Sequence, residues 1–503
     1  MGTETAGGTR MISAEVRPLP AEWTPLRVLA AAEDQPYTVF LESGGDAAVE
    51  SEWMILVFDP GWRLEVRDGA LWRIEGTREE RLPGSPLVAL AGDWPERVGI
   101  ETGSAARDIP FASGLAGYLS YDLKDWIERF PQRAVRDLPL PDLCLGFYDI
   151  VWAWRRSTGE GWIVSTGLSE GEPKALDDAE RKARARARLD AQWRVVESRS
   201  AAGPSPKPER SPKPVRSPEL PGLTSPGPRV TSNFTRAGYL RMVDHALGHI
   251  AAGDIYQVNV AQRFQVEPAP SHAALYQALR AAAPAPFLAS ISLPGGGIAS
   301  SSPERFFRIQ GDRIETWPIK GTRPRGTTAA DDARLRSDLL ASSKDRAENV
   351  MIVDLERNDL GRVCEIGSVH VPALCEVSSH SNVHHLVSRV EGRLREDVHP
   401  VEVLRALFPG GSITGAPKIR AIEIIDELEP IRRGVYTGAI GYWDVSGDCD
   451  WNIAIRTVIA VDGAAYFHAG GGIVADSTPE GEYEETLVKA SGMLRALGVR
   501  WEG

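Results

Sequence analysis

Residues 201–228 read AAGPSPKPERSPKPVRSPELPGLTSPGP. A run of Pro, Ser, Gly, Lys and Arg buries too little apolar surface to offset the entropy of ordering it, so it reads as a flexible, partly extended linker. Globular structure must therefore come from two blocks of chain, an N-terminal β-rich domain at 1–198 and a second domain at 231–503, tethered by 199–230. With 503 residues, 42% of them hydrophobic, there is ample material for a sizeable core.

In the first block, WMILVFD, LVAL, GLAGYLSYDL and GFYDIVWAWR are short, apolar, β-prone and separated by Gly, Pro and Asp turns. The segment DDAERKARARARLDAQWRVVES before the linker reads as a solvated helix leading out; its interleaved acids and missing aromatic platform argue against an RNA-binding arm. After the linker, Thr235 is placed to cap a helix with Tyr239, Val243, Leu247 and Ile250 on one face. DIYQVNVAQRFQV, FLASISL, GIASSS, RFFRI, RIETWPI, GAIGYWDV, NIAIRTVIAV and AAYFHAGGGIV read as strands, and helices fit 331–359, 399–407, 417–428 and 480–497. Strands dominate and helices are inserted singly, which predicts an α+β fold with large sheets covered by helices rather than a βαβ repeat.

A formal net charge of −12 supplies no basic field for nucleic acid. The four cysteines, at 144, 364, 375 and 449, lack metal or redox spacing and suit a reducing compartment. No apolar run approaches the ~20 residues of a membrane span, so the expected location is the cytoplasm, with no membrane partner.

Two helices carry acids in register with apolar residues. In SSKDRAENVMIVDLERNDLG, Asp345, Glu348, Ile352 and Leu355 share a face; in PEGEYEETLVKASGMLRALG, Glu482, Glu485, Lys489 and Met493 do, with Gly498 placed as a stop. Two acidic i,i+3 pairs suit a hard dication held by oxygen, and Mg²⁺ best, since it takes one or two carboxylates and keeps waters. The same spacing also fits surface ion pairing such as Glu485 with Lys489.

A second set favours anions. FPGGSITGAPKIRAIEII brings Gly410, Gly411 and Gly415 toward a helix start at Pro417, offering free N–H groups, though without the GxxxxGK[ST] spacing. Gly470, Gly471 and Gly472 allow close backbone approach after a strand. Arg456, inside the apolar stretch NIAIRTVIA, is either edge-facing or paired with a carboxylate. In ETWPIKGTRPRG, Lys320 ends a strand-like segment beside Arg323 and Arg325. It is either a solvated strand end or an amine held for chemistry. A polar barrel mouth would also fit this set.

The stretches GDIYQVNVAQRF, SSPERF, PIKGTRPRG, AENVMIVDLERNDLGRV, HHLVSRVEG, GGSITGAPKIRAIEII, GVYTGAIGY, IAIRT and the last acidic helix, in this order, resemble the chorismate-utilising enzymes, with weaker echoes at VFLES (39–43) and GLAGYLSYDL (114–123). The resemblance implies large mixed or antiparallel sheets packed face to face with helices outside, and makes 231–503 the chorismate-binding catalytic domain. It makes Glu348 and Glu485 Mg²⁺ ligands, with Asp345 and Glu482 behind them through water. It assigns Gln257, Thr322, His385, Ser412, Tyr436, Arg456, Gly470, Gly471, Gly472 and Lys489 to the chorismate pocket, and Glu304 to the general acid for the departing 4-hydroxyl.

Within the family, water-using members have a lysine base where this chain has Gln257, and the anthranilate-forming branch has alanine where it has Lys320. Lys320 and APAPF (283–287) resemble the aminodeoxychorismate-forming branch. There the lysine attacks C2, ammonia enters at C4, and the product is 4-amino-4-deoxychorismate, precursor of 4-aminobenzoate and folate. A nucleophilic lysine must be neutral, and burial with Arg323 and Arg325 nearby would lower its pKa. The chain lacks a glutaminase signature, so the expected partner is a glutamine amidotransferase subunit supplying ammonia. The N-terminal half is a candidate tryptophan site. The competing expectations are anthranilate formation and an inactive small-molecule sensor.

Overall fold

The computed structural model describes residues 10–44, 52–95, 97–103, 106, 108–168, 177–200, 228–379 and 383–501. Its frame is two twelve-stranded sheets, antiparallel at every recorded pairing, and a small parallel pair, Arg10–Ser13 with Val98–Glu101. Most of the linker, 201–227, lies outside the described residues.

Side-chain alternation along each strand explains the layering. In Trp53–Val57, Ile55 and Val57 enter one core and Leu56 another; in Ile150–Arg155, Val151 and Ala153 part from Trp152 and Trp154 in the same way. In the second sheet, Gly114–Leu119 sends Ala116 and Tyr118 to the core that holds Ile55 and Val151, and Leu115 and Leu119 to the far side. One core thus draws on both sheets, which pack face to face. The outer faces are covered by helices through Leu90, Val403 and Leu404 on one side and Val28, Leu189, Leu275 and Met493 on the other. Strands buried on both faces read as near-continuous apolar runs. Each fully buried Val, Leu or Ile contributes about 1.5–3 kcal/mol.

The segments read as separate domains share both sheets. Gly114–Leu119 lies between Leu143–Tyr148 and Ala439–Asp444, and Val39–Glu42 pairs with Phe287–Leu293. The linker divides the chain, but strands from 1–198 and 231–503 complete each other's hydrogen-bonding edges. Periodicity marks a strand without naming its neighbour.

Helices Arg236–Ala251, Pro400–Leu407, Lys418–Leu428 and Pro479–Ala496 stand where expected. Thr235 Oγ1 accepts the Gly238 N–H at 3.1 Å as an N-cap. Gly498, at φ 69°, closes the last helix: its N–H reaches Arg495 O at 3.1 Å and Val499 N–H reaches Leu494 O at 3.0 Å, a Schellman ending. Four expectations change. LVAL, read with the β-prone segments, lies in helix Pro86–Gly92, which starts on a proline at its first position. The helix at 331–359 is two, Ala329–Ala341 and Ser343–Gly361, because Ser342 leaves helical geometry (ψ 107°) and its hydroxyl caps Asp345 N–H at 3.3 Å. NIAIRTVIAV is two strands in different sheets, Cys449–Ile453 and Thr457–Val461, with Arg456 in the crossover at φ 49°. Helix Asp178–Ser200 is no solvated exit: Arg181, Leu189, Gln192 and Val196 are buried, and Trp152 Nε1 donates to Gln192 Oε1 at 2.9 Å. The four cysteines are free and buried. Among the described residues, no helix is long and apolar enough to cross a membrane.

Candidate active site

Lys320 lies in strand Ile319–Pro324, at the edge of its sheet and paired only with Val383–Arg393. A register shift between Lys320 and Thr322, with Gly321 at φ 75°, turns the chain here. A Cβ at position 321 would lie 2.9 Å from Asp345, so glycine also allows helix Ser343–Gly361 to approach. Lys320 Nζ donates to Ser412 O at 3.1 Å. Burial lowers the Lys320 pKa, Glu348 and Glu304 oppose that, and Lys489 adds to it.

Arg323 and Arg325 are held by other partners, and the main influences on Lys320 come from burial, Glu348, Glu304, Lys489 and Glu485 instead. Arg323 pairs with Asp345 at 2.8 Å, and Arg325 grips Asp332 through two bonds of 2.7 and 2.9 Å. A strand alternates its faces, so cations adjacent in sequence need not be adjacent in space.

Glu304 is 5% exposed, and its Oε1 accepts the Ile319 N–H at 3.4 Å. Burial raises its pKa; Ser412 and Lys320 pull the other way. The buried Ser412 hydroxyl lies close enough to Glu304 to draw its pKa down and has no other hydrogen-bond partner among the described residues. Glu304 and Arg456 sit on neighbouring segments: Ile453 N–H donates to Glu304 O at 3.0 Å, and Ser301 N–H to Arg456 O at 3.1 Å. The half-buried Arg456 guanidinium has no hydrogen-bond or ion-pair partner among the described residues, and burial alone lowers its pKa.

Gln257, fully buried, has no partner for either amide atom among the described residues. A Cβ on Gly472 would lie 2.3 Å from Gln257 Nε2, and one on Gly471 2.8 Å from Glu482 Oε2, so the two glycines leave room where those side chains converge. Lys489 Nζ bridges Gly470 O at 3.1 Å and Glu485 Oε1 at 2.6 Å. Thr322 Oγ1 and His385 Nδ1 are 3.0 Å apart, beside the Lys320 strand. Tyr436 stacks on His468 at 4.8 Å between centroids. Burial holds His468 neutral, well below the usual imidazole range.

Glu348 and Glu485, one from each acidic helix, both act electrostatically on Lys320. Burial raises the Glu348 pKa, with Lys320 and Lys344 opposing and Asp345 and Glu485 adding. Burial likewise raises that of Glu482; one of its oxygens accepts from Ser477 Oγ at 2.6 Å and the other has no partner among the described residues. For Glu485, burial is outweighed by Lys489 and its hydrogen bond, then Lys344 and Lys320, and the pKa falls. Lys344 acts on glutamates of both helices, so they share one electrostatic neighbourhood. Among the described residues no three His, Cys, Asp or Glu side chains form a ready metal cage. The donors are all oxygen and one buried carboxylate oxygen is orphaned, which fits a dication held by few carboxylates and water.

Sequence reasoning missed Asn259, whose Nδ2 donates to Ser412 O at 3.0 Å, and Arg433. Arg433, 2% exposed, forks onto Glu429 at 2.7 and 2.9 Å and donates to Ile413 O and Asn259 O. The i,i+4 pair Glu429–Arg433 was legible, but not its burial.

A site of this kind, a half-buried amine among carboxylates with an unpaired guanidinium on a segment neighbouring that of Glu304, is suited to a small anion. The chain belongs to the chorismate binding enzyme family, whose model matches residues 54–495. It is 43% identical over 470 residues to aminodeoxychorismate synthase component 1 of Salmonella typhimurium, covering 92% of this chain and 93% of that protein. It is 35% identical over 475 residues to anthranilate synthase component 1 of Bacillus caldotenax, covering 94% and 91%. The crystal structure of anthranilate synthase component I from Streptococcus pneumoniae superposes with a TM-score of 0.71 at 29% identity, covering 88% of this chain and 92% of that one.

Proposed function

We propose that the protein converts chorismate and ammonia into 4-amino-4-deoxychorismate, as an aminodeoxychorismate synthase component 1 whose ammonia comes from a separate glutaminase subunit. The observation that carries this reading is the half-buried Lys320 amine, held on the Ser412 carbonyl at 3.1 Å and pushed toward its neutral form, next to the Ile319 N–H that the buried, protonation-prone Glu304 accepts at 3.4 Å. The neutral amine attacks C2 of chorismate, the two conjugated ring double bonds shift toward C4, and the C4–O bond breaks as Glu304 gives its proton to the 4-hydroxyl, which leaves as water. Ammonia then attacks C4, and the returning electron shift expels Lys320 from C2. Arg456 and the Gly470–Gly472 backbone are suited to the substrate carboxylates, and Gln257 offers an amide rather than a base, which disfavours water as nucleophile. Glu348 and Glu485 would hold Mg²⁺, with Glu482 and Asp345 behind them. Bound there, the ion supplies positive charge to a substrate carboxylate and offsets the glutamates that favour an ammonium on Lys320.

Incubation with chorismate, MgCl₂ and ammonium chloride should give a non-aromatic 4-amino product; fluorescent anthranilate as the main product would favour the anthranilate branch. Arg456→Ala should raise KM for chorismate about 30-fold or more, since truncating one partner of a buried charge pair costs about 2–5 kcal/mol. The melting temperature of the ligand-free protein should hold or rise, because an uncompensated buried charge is removed. Glu348→Gln should weaken Mg²⁺ binding at least ~10-fold, the lower range for disturbing even an outer-shell partner. Calorimetric titration with MgCl₂ reads this directly.

A further inference from the structure

Behind the pocket lies a carboxyl that the proposed chemistry does not use. Glu356, in helix Ser343–Gly361, is 3% exposed. Its Oε1 accepts the Gly411 N–H at 3.2 Å, and its Oε2 has no partner among the described residues. The adjacent cation is committed elsewhere: Lys418 Nζ donates to Asp359 Oδ2 at 2.5 Å and Leu407 O at 3.0 Å. A Cβ on Gly411 would lie 2.5 Å from Leu355 Cδ2, so the loop sits directly on the helix. Gly411–Ile413 is a tight 3₁₀ turn, closed by Thr414 N–H to Gly411 O at 3.3 Å, which fixes the next carbonyl relative to the Gly411 N–H. That carbonyl, Ser412 O, receives both Lys320 Nζ at 3.1 Å and Asn259 Nδ2 at 3.0 Å.

We propose that Glu356 is a positioning residue for Lys320, acting through Gly411 and the Ser412 carbonyl that receives the lysine amine. This rests on Lys320 being the nucleophile. The groups facing Glu356 are Asp359 on its own helix, Lys418 on helix Lys418–Leu428 and Glu304 at the pocket wall. Burial, with Asp359, pushes its carboxyl up to about 8, so at neutral pH it is mainly the protonated form that holds the loop. A neutral amide can replace that form; a hydrocarbon cannot, because it leaves the Gly411 N–H without an acceptor.

The test compares full-length Glu356→Gln and Glu356→Leu for kcat and KM with chorismate and ammonium chloride, and for melting temperature. Without ammonium, the rate at which Lys320 acquires covalent chorismate-derived mass is read by peptide mapping. Glu356→Gln should keep kcat within about threefold, whereas Glu356→Leu should lose on the order of 10²-fold in kcat, as for a displaced reacting group, with a smaller change in KM. The rate of adduct formation should fall in step with kcat. If Glu356→Leu does not fold, Gly411→Ala moves the same loop and should show the same split. Wild-type kcat in the leucine variant, or a glutamine variant as impaired as the leucine one, overturns the proposal. Lys320→Ala run alongside separates the two claims: if it still forms the 4-amino product, the nucleophile reading fails, and if it is inactive while Glu356→Leu is active, only the positioning role fails.

Discussion

Lys320→Ala is expected to reduce formation of the 4-amino product from chorismate and ammonium on the order of 10³-fold or more, the scale of losing a nucleophile that acts as a unit with its partners. The fold should tolerate it. Lys320 sits on an edge strand, and among the described residues its amine makes one hydrogen bond, to Ser412 O. Far-ultraviolet circular dichroism and melting temperature should therefore stay near wild type while kcat collapses. Undiminished 4-amino product would make the lysine incidental and favour direct ammonia attack. Lys320→Arg should fare no better than alanine, because guanidinium remains charged and is no nucleophile at working pH.

Glu304→Gln is expected to lower kcat about 10²–10⁴-fold, the usual contribution of a positioned general acid. The amide is isosteric and can still accept from Ile319 N–H, so substrate affinity should change little. The pH profile supplies a second readout. Burial raises the Glu304 pKa, so its proton is present at low pH and lost as pH rises through that raised value. Burial lowers the Lys320 pKa, so the neutral amine appears as pH rises through that lowered value. The two give a bell-shaped kcat/KM, with Lys320 on the acid limb and Glu304 on the alkaline limb. Glu304→Gln should remove the alkaline limb and leave the acid one. An unchanged alkaline limb would take the acid role from Glu304.

Much of this site was legible because helix and strand periods are local. Spacing of three and four put Asp345 with Glu348 and Glu482 with Glu485, and the two acidic helices do face a common region. Glycines at 470–472 marked a close backbone approach, and the space beside Gly471 and Gly472 is filled by Glu482 and Gln257. What failed were questions of partnership. Arg323 and Arg325 look like neighbours of Lys320 in sequence, yet Asp345 and Asp332 claim them. Arg456 reads as a strand residue, but it sits where the chain leaves one sheet for the other, a crossover that no period reports. The shared sheets were invisible for the same reason: Gly114–Leu119 pairs with Ala439–Asp444, more than 300 residues away, and nothing local encodes it.

The central claim is a covalent bond between Lys320 Nζ and C2 of the substrate. Mixing the enzyme with chorismate and MgCl₂ without ammonia, quenching in acid and mapping peptides by mass spectrometry tests it directly. The peptide containing Lys320 should gain the mass of chorismate less one water, and lose it when ammonium is added before the quench. An unmodified Lys320 peptide across time points that bracket a turnover, in enzyme that forms the 4-amino product once ammonium is present, would contradict it.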